Sequence, residues 1–185
     1  FGIGRDDRSN LQQKQSISIN QTSSDLPFTI YLGDFSAGSF PASNSANGNT
    51  FSANNSFLVV GNDNAAITAL IKDAETPKST AFKLPREWKV QKTGTVGNIT
   101  IVIPVSSLPT TGLPSTLRQS FVLLVSNSSN FSSASAIPMT KIGTDFVVKV
   151  SLNDGQFFSF GYGQTLPYLR HGKSVKNGEK NSMKF

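Results

Sequence analysis

Residues 146–161 read FVVKVSLNDGQFFSFG: an apolar run, an Asn-Asp-Gly step, and an aromatic-rich second run. Side chains two apart in a strand share a face, so Phe146, Val148 and Val150 would line one side, as would Phe158 and Phe160. An Asp-Gly step between two such runs is the strongest short-range hairpin signal, because both residues accept the positive φ that a tight turn demands. The stretch predicts a β-hairpin, with Phe146, Phe158 and Phe160 in the core.

The same period recurs upstream. Ser16–Ile19 alternates, Phe28–Leu32 alternates up to Gly33-Asp34, and Phe57–Val60 is closed by Gly61-Asn62-Asp63-Asn64. Trp88–Gln91, Ile99–Ile103 (halted by Pro104) and Phe121–Val125 follow. Helical competitors are few. Residues 64–72 (NAAITALIK) hold β-branched Ile and Thr and form no single apolar stripe. Ser106–Leu108 and Ser115–Arg118 suit single turns. About nine strands spaced roughly 8–15 residues apart predict an all-β, antiparallel β-sandwich of Greek-key or jelly-roll-like type. Phe57 and Phe121 join the expected core. Trp88 is placed at the sheet interface beside Val90, its indole N–H paired; the competing reading makes it a sugar-stacking platform. Residues 1–161 form the sandwich domain. Residues 162–185 are a linker and a basic C-terminal hairpin, signalled by Lys176-Asn177-Gly178-Glu179, either part of the same domain or the start of another.

Charged residues make up 15% of the 185, against about 25% in an ordinary globular chain. Polarity comes instead from 26 Ser, 15 Thr and 15 Asn, a surface that fits an extracellular β-protein. The absence of Cys excludes disulfides, a thiol nucleophile and a thiolate metal site. No apolar run approaches about 18 residues, so no membrane insertion by a helix is expected. Of the net charge of +6, residues 170–185 carry +4. Cations gathered at one end, without an aromatic-studded basic face, argue against a nucleic-acid partner. A chain opening at Phe1 without Met reads as a processed product or a piece of a larger polypeptide. The five N-x-S/T sequons, at Asn20, Asn54, Asn98, Asn127 and Asn130, are near chance in this composition.

Enzymatic chemistry finds little to work with. His171 is the only His, so a Ser-His-Asp relay would have to run through it, and no G-x-S-x-G elbow is present. The 11 carboxylates show no glycosidase motif. Contact residues are expected in the polar loops, where Phe40 and Phe51 are the candidates for exposed aromatic contact. A shallow Ca²⁺-assisted carbohydrate site is drawn from Asn47, Asn49, Phe51, Asn62 and Asp63. In residues 2–7 (GIGRDD) the glycines would permit positive φ and the carboxylates would accept backbone N–H groups in a turn. The calcium alternative takes Asp6, Asp7 and Asp63 as ligands. It lacks the D-x-D-x-D-G ladder that helps supply the roughly six to eight oxygens calcium needs. Arg5 offers these carboxylates a salt bridge.

Four phrases in one order carry a resemblance: residues 2–7 followed by Leu11, Gln13, Lys14, Gln15 and Ser16; Ser56-Phe57-Leu58 with Gly61-Asn62-Asp63; Arg86–Gln91 with Thr93-Gly94 and Val96-Gly97; and Asn153–Phe158 with Phe160-Gly161. They resemble a β-rich domain of unknown function in large secreted surface proteins of Bacteroidota, exported by type IX secretion, described as adhesins or gliding-associated, and usually following a concanavalin-like module. The resemblance, over residues 2–161, implies a non-enzymatic module at the cell surface whose partners are neighbouring domains or subunits. It assigns no catalytic residue. Two further functions stand beside the structural or adhesive one. One is recognition of glycans; the other is a filament subunit whose segment 172–185 pairs with a neighbour's sheet edge.

Overall fold

The computed structural model describes residues 1–20, 25–110, 113 and 120–163. In chain order its strands are β1 (Gly2–Asp6), β2 (Leu11–Gln13), β3 (Gln15–Ile17), β4 (Thr29–Leu32), β5 (Ser56–Asn62), β6 (Thr80–Lys83), β7 (Trp88–Thr93), β8 (Ile99–Pro104), β9 (Phe121–Ser126), β10 (Ser135–Pro138), β11 (Thr140–Ile142), β12 (Asp145–Val150) and β13 (Phe157–Gly163). They form two antiparallel sheets packed as a sandwich. The larger runs β10-β9-β13-β7-β5-β1-β2, with β6 also on β13; the smaller runs β11-β12-β8-β4-β3. No helix among the described residues is long and apolar enough to cross a membrane. The basic segment 170–185, with Tyr168 and His171, lies outside the described residues.

The Asp-Gly step does not make a hairpin. β12 pairs with β8 and β11 in the smaller sheet, whereas β13 pairs with β9, β7 and β6 in the larger. Residues 151–156 therefore carry the chain from one layer to the other. The reason lies in register. A two-residue turn at Asp154-Gly155 would set Asn153 opposite Gln156, Ser151 opposite Phe158 and Lys149 opposite Phe160. Directly opposed residues share a face, so Phe158 and Phe160 would emerge beside Lys149 rather than beside Val148 and Val150. Placing the two strands in different sheets lets both apolar sets meet across one core. The turn pairs with β7 instead: Gly155 N donates to Val90 O at 3.0 Å and Val90 N to Gln156 O at 2.8 Å. Gly155 supplies the positive φ, +74°.

The core is aromatic. Phe28, entering β4, makes edge-to-face contacts with Trp88, Phe158 and Phe160 at centroid distances of 5.3, 5.9 and 5.3 Å. Trp88 and Phe158 stack at 5.6 Å. Trp88 and Val90 share the inward face, fully buried as expected, but the Trp88 indole N–H has no partner among the described residues. Phe121, Phe146, Phe158 and Phe160 are buried. Phe57 is not in this layer: β5 turns Ser56, Leu58 and Val60 inward, leaving Phe57 half-buried on the outer face, over Gly4. A second cluster forms outside the larger sheet, where Phe131 and Ala134 cover Val122 and Leu124. That cover explains why β9 reads as an unbroken apolar run.

Residues 2–6 are a strand rather than a glycine turn, and neither Gly2 nor Gly4 has positive φ. Their role is close approach. A Cβ on Gly2 would lie 2.4 Å from Leu58 O, and one on Gly4 2.3 Å from the Phe57 ring. β13 continues through Tyr162 and Gly163, two residues past the expected domain limit.

Candidate functional site

The structure separates the residues expected to form one loop site. Asn47 is fully buried: its Nδ2 donates to Lys14 O and Leu32 O, each at 3.2 Å, and its Oδ1 accepts from Asn49 N and Nδ2 at 3.0 Å. Phe51, expected to be exposed, is 3% exposed and belongs to the core. Asn62 and Asp63 lie at the opposite end of the fold, where Asn62 Nδ2 donates to Asp25 Oδ2 at 2.9 Å. The five do not converge.

The calcium trio is divided as well. β1 and β5 are antiparallel with Arg5 opposite Ser56, so Asp6 and Asp7 lie at the start of β5 and Asp63 just past its end. The length of β5 puts roughly 20 Å between them. Asp7 forms a two-pronged ion pair with Arg5, Nε–Oδ1 2.7 Å and NH2–Oδ2 2.9 Å, which holds the Asp7 carboxyl below its ordinary pKa. Asp6 accepts from Arg8 N at 3.0 Å and Ser9 Oγ at 2.7 Å, as the turn reading expects. Asp63 Oδ1 accepts from Ala65 N and Glu87 N. Among the described residues, no group of three or more His, Asp or Glu side chains is placed to hold a metal ion.

Near Asp63 lies a buried ion pair that sequence reasoning missed. Arg86 NH1 meets Asp25 Oδ1 at 2.8 Å, with side chains 5% and 0% exposed. Arg86 Nε donates to Ala65 O at 2.7 Å, and Asp25 Oδ1 also accepts from Leu26 N at 2.8 Å. Every prong is used, as a buried charge pair requires. The network ties the entry to β4, the exit of β5 and the entry to β7 into one rigid corner.

Two concave surfaces include residues from the strands and loops singled out by the sequence. The larger, about 1180 Å³, lies over the outer face of β5, β7 and β13 and includes Asn62 and Asp63. Its floor holds Val59, 45% exposed, and the Lys89 ammonium sits 5.4 Å from the Phe157 ring centroid. Its rim carries Asp63, Glu87 and Asp154. Burial pushes the Glu87 carboxyl above its ordinary value, against the pull of Lys83, 3.0 Å away. This surface has mixed charge; of its two rings, Phe157 is capped by the Lys89 cation and Phe1 packs edge-on against Phe28.

The smaller groove, about 520 Å³, has a different chemistry. It crosses the outer face of β3 and β4 and is walled by the loop around Phe40. Gln15 stands opposite Tyr31, and Ile17 opposite Thr29, while Ser16, Ile30 and Leu32 point inward. Phe40, half-buried, stacks on Tyr31 at 5.7 Å and 21°; Phe35 meets the same ring edge-on. The loop is held by Asn44, whose amide accepts from Lys14 N and donates to Gln12 O. Burial pushes the Tyr31 phenol above its ordinary value, so it remains a protonated donor at neutral pH. No lining residue is charged. Of this site the sequence pointed only to Phe40; the outward phase of Tyr31 in its alternating run was the second available signal.

The sequence pattern of a family described as a domain of unknown function, DUF8202, matches residues 1–156. The chain belongs to that family. The match covers β1 through β12 and the whole lining of the smaller groove; β13, which supplies Phe157 to the larger groove and Phe158 and Phe160 to the core, follows directly after it. No curated protein and no solved structure gives a significant match to it.

Proposed function

We propose that this DUF8202 domain is a non-enzymatic module of an extracellular bacterial surface protein, one that spaces neighbouring modules and contacts what lies outside the cell. The observation that carries this reading is how its polar groups are deployed. The loops satisfy themselves through Asn and Asp side chains, as at Asn47, Asn44, Asp6 and Asp63. Ion pairs brace corners, as at Asp25–Arg86 and Arg5–Asp7. What faces outward is largely hydroxyl and amide, on a sandwich that a continuous aromatic core holds rigid. Such a surface resists indiscriminate charge pairing and lets loops vary without disturbing the core. The charge-poor composition and the order of the four sequence phrases support the surface-protein context of the Bacteroidota kind.

The Ca²⁺-assisted version of this reading finds little support in the carboxylates of Asp6, Asp7 and Asp63, each of which already accepts hydrogen bonds from its own chain. Deleting residues 1–163 from the gene in its native host tests the proposal. Attachment of the cells to a surface should fall while growth and export of the parent protein continue. Unchanged attachment together with a lost metabolic activity would overturn it.

A further inference from the structure

We infer that the groove on β3 and β4 is a metal-independent binding site for a neutral saccharide. The inference deepens the contact role proposed above by giving it a ligand class. Three features of the groove converge. It is walled by half-exposed Tyr31 and Phe40, stacked on one another; the apolar face of a sugar ring packs on the aromatic surface they leave uncovered. Amides from three parts of the chain surround it: Gln13 and Gln15 from β2 and β3, Asn20 beyond β3, and Asn44 from the loop. Amides donate and accept in pairs, which matches the hydroxyls of a neutral sugar, each both donor and acceptor. Finally, the Gln15 Oε1 is shut off from solvent and accepts no hydrogen bond among the described residues. A buried acceptor left unpaired costs free energy, and rotation of the Gln15 side chain into the groove would let an incoming hydroxyl pair it.

The absence of charge selects among ligands. Sulfated or sialylated sugars would find no cation among the lining residues, and nucleic acid would find no phosphate contact. The volume falls within the roughly 300–1,000 Å³ range of small-molecule sites, suiting a short saccharide segment. Pre-organisation favours binding: Asn44 clamps the loop to the β2–β3 boundary, and Asn47 anchors its far side to Lys14 and Leu32. The larger groove carries Asp63, Glu87, Lys89 and Asp154 in its lining, so it is not charge-free and serves as an internal control.

The test is one array printed with neutral gluco-, manno-, galacto- and xylo-oligosaccharides, with sulfated and sialylated glycans, and with uncharged peptides. The full 185-residue chain is applied with and without chelator, and the best ligand is followed by calorimetry. Binding should appear among the neutral glycans, survive the chelator and change little between low and high salt. Phe40→Ala and Gln15→Leu should each weaken it at least tenfold while the thermal melt stays cooperative; Lys89→Ala, in the other groove, should leave it unchanged. Silence on every neutral glycan, loss with chelator, preference for acidic glycans or peptides, or sensitivity to Lys89→Ala but not Phe40→Ala would each overturn the inference. A chain that binds no sugar but still supports attachment in its host would refute this site alone; one that binds sugar but never leaves the cytoplasm would refute the surface role alone.

Discussion

Replacing Asp25 with Ala removes the buried acceptor that holds the β4–β5–β7 corner. The Asp25 side chain is 0% exposed and accepts from Arg86 NH1, Leu26 N and Asn62 Nδ2. Without it the Arg86 guanidinium, 5% exposed, retains among the described residues Ala65 O and a long 3.3 Å contact to Asn64 Oδ1. Breaking one side of a buried pair strands the other charge, at a cost of about 3–5 kcal/mol. With a urea m value of about 2 kcal/mol/M, the unfolding midpoint should fall by roughly 1.5–2.5 M. Arg86→Met should cost a similar amount. The double variant should cost less than the sum of the two, because neither charge is then left alone, with a coupling of at least about 1.5 kcal/mol. Parallel urea titrations of all four proteins, followed by Trp88 fluorescence, supply the cycle. Additive effects, or an Asp25→Ala cost under about 1 kcal/mol, would show that the pair is solvated, as surface pairs are, and refute the reasoning.

Three further outcomes are expected. Gly161→Ala places a Cβ 2.6 Å from Phe82 O, backbone to which β13 is paired. It should destabilise the domain by about 1–3 kcal/mol, as overpacking does, with a matching drop in melting temperature. Lys149 holds the exposed Asp34 carboxyl down to about 2 from an ordinary 3.8. Its contribution is therefore full above the ordinary carboxylate range and is lost as pH falls through about 2. Lys149→Met should be less stable than the native chain at neutral pH, and the two acid-unfolding curves should close on each other towards pH 2. Calcium in excess, compared with chelator, should leave the melting temperature unchanged within the error of calorimetry; a concentration-dependent rise would restore a calcium role to Asp6 or Asp7.

The alternation of apolar residues was enough to reveal the class of fold and most strand positions, because a half-buried strand must show period two. It did not reveal which strands pair. The Asn-Asp-Gly step looked like a hairpin because turn chemistry is local. The parity of Phe146, Val148 and Val150 against Phe158 and Phe160 already opposed it, since a two-residue turn would set each core residue opposite a polar residue or a glycine. Gly2 and Gly4 looked like turn residues because a glycine that admits a neighbouring chain is indistinguishable in sequence from one with positive φ. Phe51 was misplaced for a related reason: the lone large apolar side chain of a polar loop is what anchors that loop to a core. The smaller groove depends on Gln15 and Tyr31 meeting across two strands and on a loop some ten residues later folding over them, a coincidence of register that no single segment records. Phe40 alone stood out, as an aromatic in a polar loop that stays half-exposed.

Location is the most direct measure of what this domain is for. Intact cells of the native host, labelled with an antibody to the folded domain, should stain without permeabilisation and lose the stain after brief external protease. Staining that requires permeabilisation and withstands the protease would contradict the account.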